Sequence, residues 1–221
     1  MQTYSVVMSK SQNWAAKERA EFVKVIREVG PDAPTLCAGW TAKDLAAHIV
    51  VRERRPDAAI GIMLPIASNY TDKVMARYCA MGWEELVSLV ESGAPSWNPM
   101  SITAVDEVAN VLEFFVHAED VRRAQPHWTA RTLDPEFSNV LWSRLSKMAK
   151  LQWRRAKLGV TLLHSDDAII AKAISANGLG VTVEGEPSEL VLKSYGRTEC
   201  VTRVDGTPDS VAVYNTTNLH I

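Results

Sequence analysis

A single buried helix is predicted by the stretch Val111-Leu112-Glu113-Phe114-Phe115-Val116-His117. Its polar residues, together with Asn110 and Asp120, recur three and four positions apart, which places them in one stripe on a helix face. The rest of the surface is apolar, and a helix that is apolar nearly all round lies inside a protein. Buried carboxylates are rare unless they are paired or bound to a metal, so this helix marks a candidate site.

Glu113 and His117 are four residues apart, so their side chains share a helix face. His48 belongs to a second predicted helix and can supply a third ligand, because helix bundles build metal sites from facing helices. Two imidazoles and one carboxylate suit zinc or another divalent metal and leave a coordination position open for chemistry. The alternative interpretation is a buried Glu113–His117 ion pair without metal, with His48 in ordinary hydrogen bonds.

Other polar residues near these positions have competing interpretations. Asp120 either orients a ligand imidazole or forms a solvent-facing pair with Arg123 or Arg54. Cys37 is expected to be a small buried residue, although it lies close in sequence to the His48 helix and can approach the site. No role is assigned to the remaining histidines, His127, His164 and His220.

Composition limits the function classes. The 221 residues carry a formal charge of −2, which does not indicate binding to nucleic acid or to an anionic membrane surface. The N-terminus lacks the pattern of a signal peptide, and no apolar stretch is long enough to span a bilayer. The three cysteines, Cys37, Cys79 and Cys200, do not suggest a disulfide framework, so a reduced cytoplasm is the expected location.

The first two thirds of the chain predict helices. Helical periodicity covers residues 12–29, a segment from residue 41 that Pro56 kinks or restarts, residues 71–90 with a break at Gly82, residues 105–124, and residues 134–159. Predicted N-caps are Ser11, Thr41 with Asp44 as a capping box, and Asp134 followed by Pro135.

Further on, the period changes to that of strands. Residues 160–163, 168–171, 181–183 and 199–204 predict strands, and residues 187–195 predict a helix. Helices followed by mixed strands predict an α+β protein with a helical domain over residues 1–158 and a small α+β domain over residues 159–221.

Two motifs carry a resemblance to a known family. The N-terminal one comprises Thr35-Leu36-Cys37-Ala38-Gly39-Trp40-Thr41-x-x-Asp44-Leu45-x-x-His48 and Glu113-x-x-x-His117-x-x-Asp120, and it resembles the DinB-like, mycothiol-dependent maleylpyruvate isomerases of actinobacteria. The C-terminal stretch Val183-x-Gly185-x-Pro187-x-x-Leu190-x-x-x-Tyr195-Gly196-Arg197 is similar to the small second domain of that family.

This resemblance implies a DinB-like four-helix bundle that holds one divalent metal, usually zinc, on His48, Glu113 and His117. It also implies a low-molecular-weight thiol cofactor such as mycothiol, and a C-terminal arginine that takes part in activity, for which Arg197 is the candidate. The expected partners are this thiol and an electrophilic small-molecule substrate, and a homodimer is conceivable.

Three functions stay open at this point. The first is a thiol-dependent metalloenzyme, an isomerase or S-transferase, in which Arg197 holds a carboxylate. The second is a hydrolase that activates a metal-bound water, with Asp120 or Glu119 as the general base. The third is a non-catalytic module that binds a metal or a small molecule.

Overall fold

The computed structural model describes residues 12–63, 68–174 and 178–217. The fold is mixed α+β, as the sequence predicts. It divides into two compact units, residues 1–122 and residues 123–221.

The first unit is helical. Its helices are α1 (Trp14–Val29), α2 (Ala42–Arg54), α3 (Pro56–Met63), α4 (Ser68–Cys79), α5 (Trp83–Ser92) and α6 (Thr103–Arg123), with the last residue of α6 counted in the second unit. Pro56 restarts the helix after α2, and Gly82 separates α4 from α5, both at the predicted places.

The N-cap of α1 differs from the prediction. Asn13 takes that place, and its side chain accepts a hydrogen bond from the backbone N–H of Ala16. Ser11, the predicted cap, lies outside the described residues. Serine and asparagine side chains both accept hydrogen bonds from the free N–H groups of a first helical turn, so the sequence alone does not distinguish Ser11 from Asn13 as the N-cap.

Four helices build the larger buried cluster of the first unit. Its apolar residues come from α1, α2, α5 and α6, and they include Phe22, Leu45, Leu86 and Phe114, all with no exposed surface. A smaller buried cluster joins α2, α3 and α4. The rings of Phe22 and Phe114 lie 6.2 Å apart and tie α1 to α6. This packing fixes the helix pair α2 and α6 that carries the candidate site.

The start of α2 is fixed by its capping box. The Thr41 hydroxyl accepts from the Asp44 N–H at 3.3 Å, and the Asp44 carboxylate accepts from the Thr41 N–H at 2.8 Å. The preceding loop is anchored to α6, because the Leu36 N–H donates to the Asp120 carbonyl at 3.0 Å. The position of α2 relative to α6 is therefore set by local hydrogen bonds as well as by the core.

The second unit contains a four-stranded sheet and three helices among its described residues. The strands are β1 (Gly159–His164), β2 (Asp167–Lys172), β3 (Gly180–Gly185) and β4 (Thr202–Gly206), in the order β2-β1-β3-β4. The pair β1–β3 is parallel, and the two outer pairs are antiparallel. The helices are α7 (Pro135–Gln152), α8 (Pro187–Ser194) and α9 (Pro208–Asn215).

Several predicted boundaries shift in this unit. Asp134 and Pro135 begin α7 as predicted, but the helix ends at Gln152, and a 3-10 turn over Trp153–Arg155 leads into β1 at Gly159. The last strand begins at Thr202 instead of residue 199, and α9 was not predicted. Because α7 packs on α8 and β2, it belongs to the second unit, and the chain divides earlier than the boundary expected after residue 158.

Across the described ranges, no helix combines the length and the apolar character required to cross a bilayer.

Candidate metal centre

His48 lies near the middle of α2 and points toward α6. The residue is buried, and its ring packs against the ring of Trp40, with centroids 5.3 Å apart. The capping box at Thr41 sets the start of the helix and so the direction in which His48 points, two turns later.

Glu113 and His117 lie one turn apart on α6 and face His48. Oε1 of Glu113 lies 3.1 Å from Nε2 of His48 and 3.2 Å from Nε2 of His117. The two imidazole rings meet edge to face with centroids 5.2 Å apart. The three potential ligand atoms lie within 4.8 Å of one another. The structure thus brings together the three side chains that the sequence proposes, and their role as metal ligands stays a prediction.

The other nitrogen of His117 faces Asp120. Nδ1 lies 3.0 Å from Oδ2 of Asp120, a carboxylate with no exposed surface. The structure therefore places Asp120 against an imidazole, and not in a solvent-facing pair. Sγ of Cys37 lies 3.3 Å from the same carboxylate oxygen, so Cys37 packs against the core and also reaches the site.

Burial and hydrogen bonding oppose each other in this cluster. Burial by itself raises the pKa of Glu113, but hydrogen bonds from His117 and His48 hold that pKa well below its usual value. Burial by itself lowers the pKa of His117, but the bond to Asp120, with Cys37 and Glu113, raises that pKa well above its usual value. Burial lowers the pKa of His48. Without metal, the cluster is an anionic Glu113 between a cationic His117 and a neutral His48.

One nitrogen of the cluster has no hydrogen-bond partner among the described residues. Nδ1 of His48 is buried and contacts no donor or acceptor. A buried polar atom left unpaired costs roughly 1–3 kcal/mol. The two histidines therefore differ. Both ring nitrogens of His117 have hydrogen-bond partners, whereas His48 has one at Nε2 alone.

Arg52 is a member of the site that sequence reasoning missed. It follows His48 by four residues, and its Nε lies 3.6 Å from Oε1 of Glu113. Its Nη1 donates to Oδ1 of Asn110, and its Nη2 donates to the Ala109 carbonyl at 3.0 Å. The spacing from His48 was the available signal, because residues four apart share a helix face.

The remaining candidate residues lie elsewhere. Arg197 is in the second unit, in the turn after α8, where its Nη1 donates to the Tyr195 carbonyl at 2.8 Å. Glu119 forms an ion pair with Arg122 at 2.7 Å. His164 ends β1 and packs near Trp142, and His220 lies outside the described residues.

Comparison with known proteins identifies similar sequences and structures. Residues 14–168 match the family model described as the mycothiol maleylpyruvate isomerase N-terminal domain. A crystal structure of the mycothiol-dependent maleylpyruvate isomerase superposes with a TM-score of 0.59 at 15% identity, covering 87% of this chain and 90% of that chain. A histidine-to-alanine mutant of the mycothiol-dependent maleylpyruvate isomerase gives a TM-score of 0.60 at 17% identity with the same coverage. No curated protein matches the chain.

Proposed function

The chain belongs to the family of the mycothiol maleylpyruvate isomerase N-terminal domain, and from this membership and the cluster on α2 and α6 we propose a zinc-dependent enzyme that uses a low-molecular-weight thiol. The thiol is of the mycothiol type. The reaction is an isomerisation, or a transfer of the thiol sulfur to an electrophilic substrate.

One observation supports this proposal most directly. A single carboxylate oxygen of Glu113 faces Nε2 of both His48 and His117, at 3.1 and 3.2 Å. Zinc bonds of about 2.0–2.1 Å at tetrahedral angles separate neighbouring ligand atoms by about 3.3 Å. Without metal, these contacts are an ion pair of Glu113 with His117 and a hydrogen bond from His48, but that account leaves Nδ1 of His48 buried without a hydrogen-bond partner among the described residues, as it is here. A shared divalent ion accounts for the convergence of all three side chains on one point.

The donor set also fits the chemistry of the ion. Two imidazole nitrogens and one carboxylate oxygen occupy three positions and leave one open, as in catalytic zinc sites. The half-buried Glu113 and the fully buried Asp120 supply two negative charges, which a divalent ion would balance. The Asp120–His117 bond matches the common arrangement in which a carboxylate orients a ligand imidazole.

When bound, a divalent ion lowers the pKa of a thiol that occupies the open position and keeps it as the thiolate. The chain's own residues prepare that position. Asp120 holds the Nδ1 proton of His117, so that the Nε2 lone pair faces the cluster, and Trp40 covers one side of the His48 ring. Such a thiolate would add to one carbon of an electrophilic double bond, and the electron pair of that bond would move onto the substrate's activating carbonyl group. In isomerisation the electrons would return after bond rotation and break the C–S bond again, and in S-transfer the C–S bond would stay and the substrate would take up a proton.

The proposal also includes a substrate-binding residue, the binding partners, the location and the oligomeric state. Arg197 is proposed to hold a substrate or cofactor carboxylate through its planar guanidinium group. The expected partners are a small thiol and an electrophilic substrate, without nucleic acid or membrane. A cytoplasmic location and a homodimer are also proposed.

Hydrolysis gains no support from the geometry. A hydrolase requires a general base beside the open position. Asp120 contacts the side of His117 that faces away from Glu113, and Glu119 is paired with Arg122. Neither carboxylate therefore serves as a base for a metal-bound water.

The test is metal analysis of the purified protein, followed by calorimetric titration of the metallated protein with mycothiol or a related thiol. The expected result is one zinc per chain and saturable thiol binding. His48→Ala and His117→Ala should lose the metal, and His164→Ala, outside the cluster, should retain it. Stoichiometric metal in the His48→Ala variant would contradict the proposed ligand set. Retained metal without thiol binding would instead favour a non-catalytic metal-binding protein.

A further inference from the structure

Arg52 introduces a positive charge into a cluster that is already suited to a cation. Its Nε lies 3.6 Å from the Glu113 oxygen that the two histidines share. A guanidinium group this close to a divalent ion repels it, since like charges in a partly buried site interact strongly. Arg52 is therefore not explained as a residue that favours metal binding.

Neighbouring carboxylates behind Arg52 do not contact it directly. Asn110 separates Arg52 from Glu53 and Asp106, and its amide nitrogen donates to both of them. Those two carboxylates share the single positive charge of Arg19, at 2.6 and 3.3 Å, and they are linked to Arg52 only through Asn110.

Near the cluster itself, Glu113 and Asp120 are the two anions, and a divalent ion would balance both. In the metallated cluster, Arg52 would then have no carboxylate of its own in direct contact among the described residues, because its contact, Glu113, would be shared with the ion.

The guanidinium group of Arg52 also has N–H donors that make no hydrogen bond among the described residues. It carries five N–H bonds. Within the described residues, two of them are used in hydrogen bonds, to Asn110 and to the Ala109 carbonyl. These two bonds fix the plane of the group against α6 while leaving one N–H on each Nη atom for another acceptor.

Exposure shows where a ligand can approach. The side chains of Glu113 and Arg52 are 21% and 19% exposed, against 8% for His48 and 12% for His117. The accessible edge of the cluster therefore runs along Glu113 and Arg52. A molecule that enters from this edge would meet the guanidinium group beside Glu113.

We propose that Arg52 is an anion-binding residue of this site, and that it recognises the carboxylate of a ligand bound at or beside the metal. This inference rests on the proposed metal centre. The ligand class is a small carboxylate, carried either by the thiol or by the electrophilic substrate. A planar guanidinium group with paired N–H donors matches a carboxylate in geometry and charge.

The test uses two thiols that differ only in the carboxylate, mercaptopropionate and mercaptopropanol, titrated calorimetrically into the zinc-loaded full-length protein. The wild type should prefer mercaptopropionate by about tenfold or more, the range of a charge-assisted hydrogen bond. Arg52→Gln should lose this preference while it binds mercaptopropanol within about twofold of the wild type. Arg52→Lys should retain part of the preference, because the charge stays and the planar fork is lost.

Two further measurements keep structural damage apart from recognition. Arg54→Gln is the matched control, because Arg54 lies on the same helix but hydrogen-bonds Ser92 and the Gly93 carbonyl, at 2.8 Å each, instead of the cluster. It should keep the full preference. Zinc affinity of Arg52→Gln, measured by chelator competition, should equal or exceed that of the wild type.

Propionate alone separates this inference from the proposed function. Propionate binding that requires Arg52, in a protein that binds neither thiol, would contradict the thiol chemistry and support the anion site. If propionate and mercaptopropanol bind at the same time, the recognised carboxylate belongs to the substrate. If the two compounds compete for binding, the recognised carboxylate belongs to the thiol. An Arg52→Gln variant that keeps the wild-type preference and the wild-type propionate affinity would overturn the inference.

Discussion

Asp120 and His117 are joined by a hydrogen bond of 3.0 Å between Oδ2 and Nδ1, within one turn of α6. The carboxylate is completely buried, so it holds the ring without competition from water. The bond directs Nε2 toward Glu113, and in a neutral ring it favours the proton on Nδ1. One residue pair thus decides which nitrogen is available as a ligand.

Replacing Asp120 by asparagine tests this relationship. The amide cannot carry the negative charge that stabilises the Nδ1–H group, so we expect zinc affinity to fall by about 10–100-fold. Chelator competition measures the affinity. Asp72→Asn, an exposed residue on α4, is the control and should leave the affinity unchanged. Equal affinities for Asp120→Asn and the wild type would show that the bond does not support metal binding.

Metal binding should release protons. Burial lowers the pKa of His117, but in the metal-free protein the hydrogen bonds to Asp120, Cys37 and Glu113 together outweigh it, so the pKa lies well above its usual value and the ring is protonated at neutral pH. A ligand imidazole must be neutral, and one proton should leave per zinc bound. Zinc affinity should therefore rise by about tenfold per pH unit up to the pKa of His117. Calorimetry in buffers of different ionisation enthalpy measures the proton count, and a pH-independent affinity would contradict the protonated state.

Cys200 should react slowly with alkylating reagents. Burial, followed by the nearby charge of Glu189, raises the pKa of its thiol to about 12. Only the thiolate attacks iodoacetamide, and roughly one thiol in ten thousand is ionised at pH 8 for such a pKa. The rate, followed by mass spectrometry of the Cys200 peptide, should increase about tenfold per pH unit above pH 8. Urea-unfolded protein is the reference, and equal rates in folded and unfolded protein would rule out the raised pKa.

The ion pair of Arg123 and Glu189 should matter for the stability of the second unit. Both side chains are almost fully buried and make two contacts of 2.7 Å. Glu189→Gln leaves the Arg123 charge buried without its partner, which should lower the free energy of unfolding by about 3–5 kcal/mol. Urea denaturation measures the change.

The exposed pair of Arg203 and Glu184 provides the comparison, because it has the same 2.7 Å separation at 77% and 41% side-chain exposure. Glu184→Gln should cost about 0–1 kcal/mol. A similar small loss for Glu189→Gln would show that burial does not control the contribution of these pairs.

Local patterns predicted much of the first unit. The apolar periodicity of α6, the capping box of Thr41 and Asp44, and the i, i+4 spacing of Glu113 and His117 are each encoded within a few residues. The convergence of His48 on that pair could be proposed from the sequence, because two helices that each carry inward polar residues have few ways to satisfy them.

Contacts between distant segments were harder to predict. The pattern of α7 shows that the helix has an apolar face but not that this face packs on α8 and β2. Arg52 received no role from the sequence, because its acceptors on α6, Asn110 and the Ala109 carbonyl, become visible only in three dimensions. The sequence allowed Asp120 to contact either an imidazole or a solvent-facing arginine, and in the folded protein its carboxylate contacts His117.

His48 and Glu113 are separated by 65 residues in the chain. An unfolded chain rarely holds two such side chains together, so an ion that needs both binds the native protein and hardly at all the denatured one. Under the proposed ligand set, chelation would then shorten the lifetime of the native protein as well as empty the site.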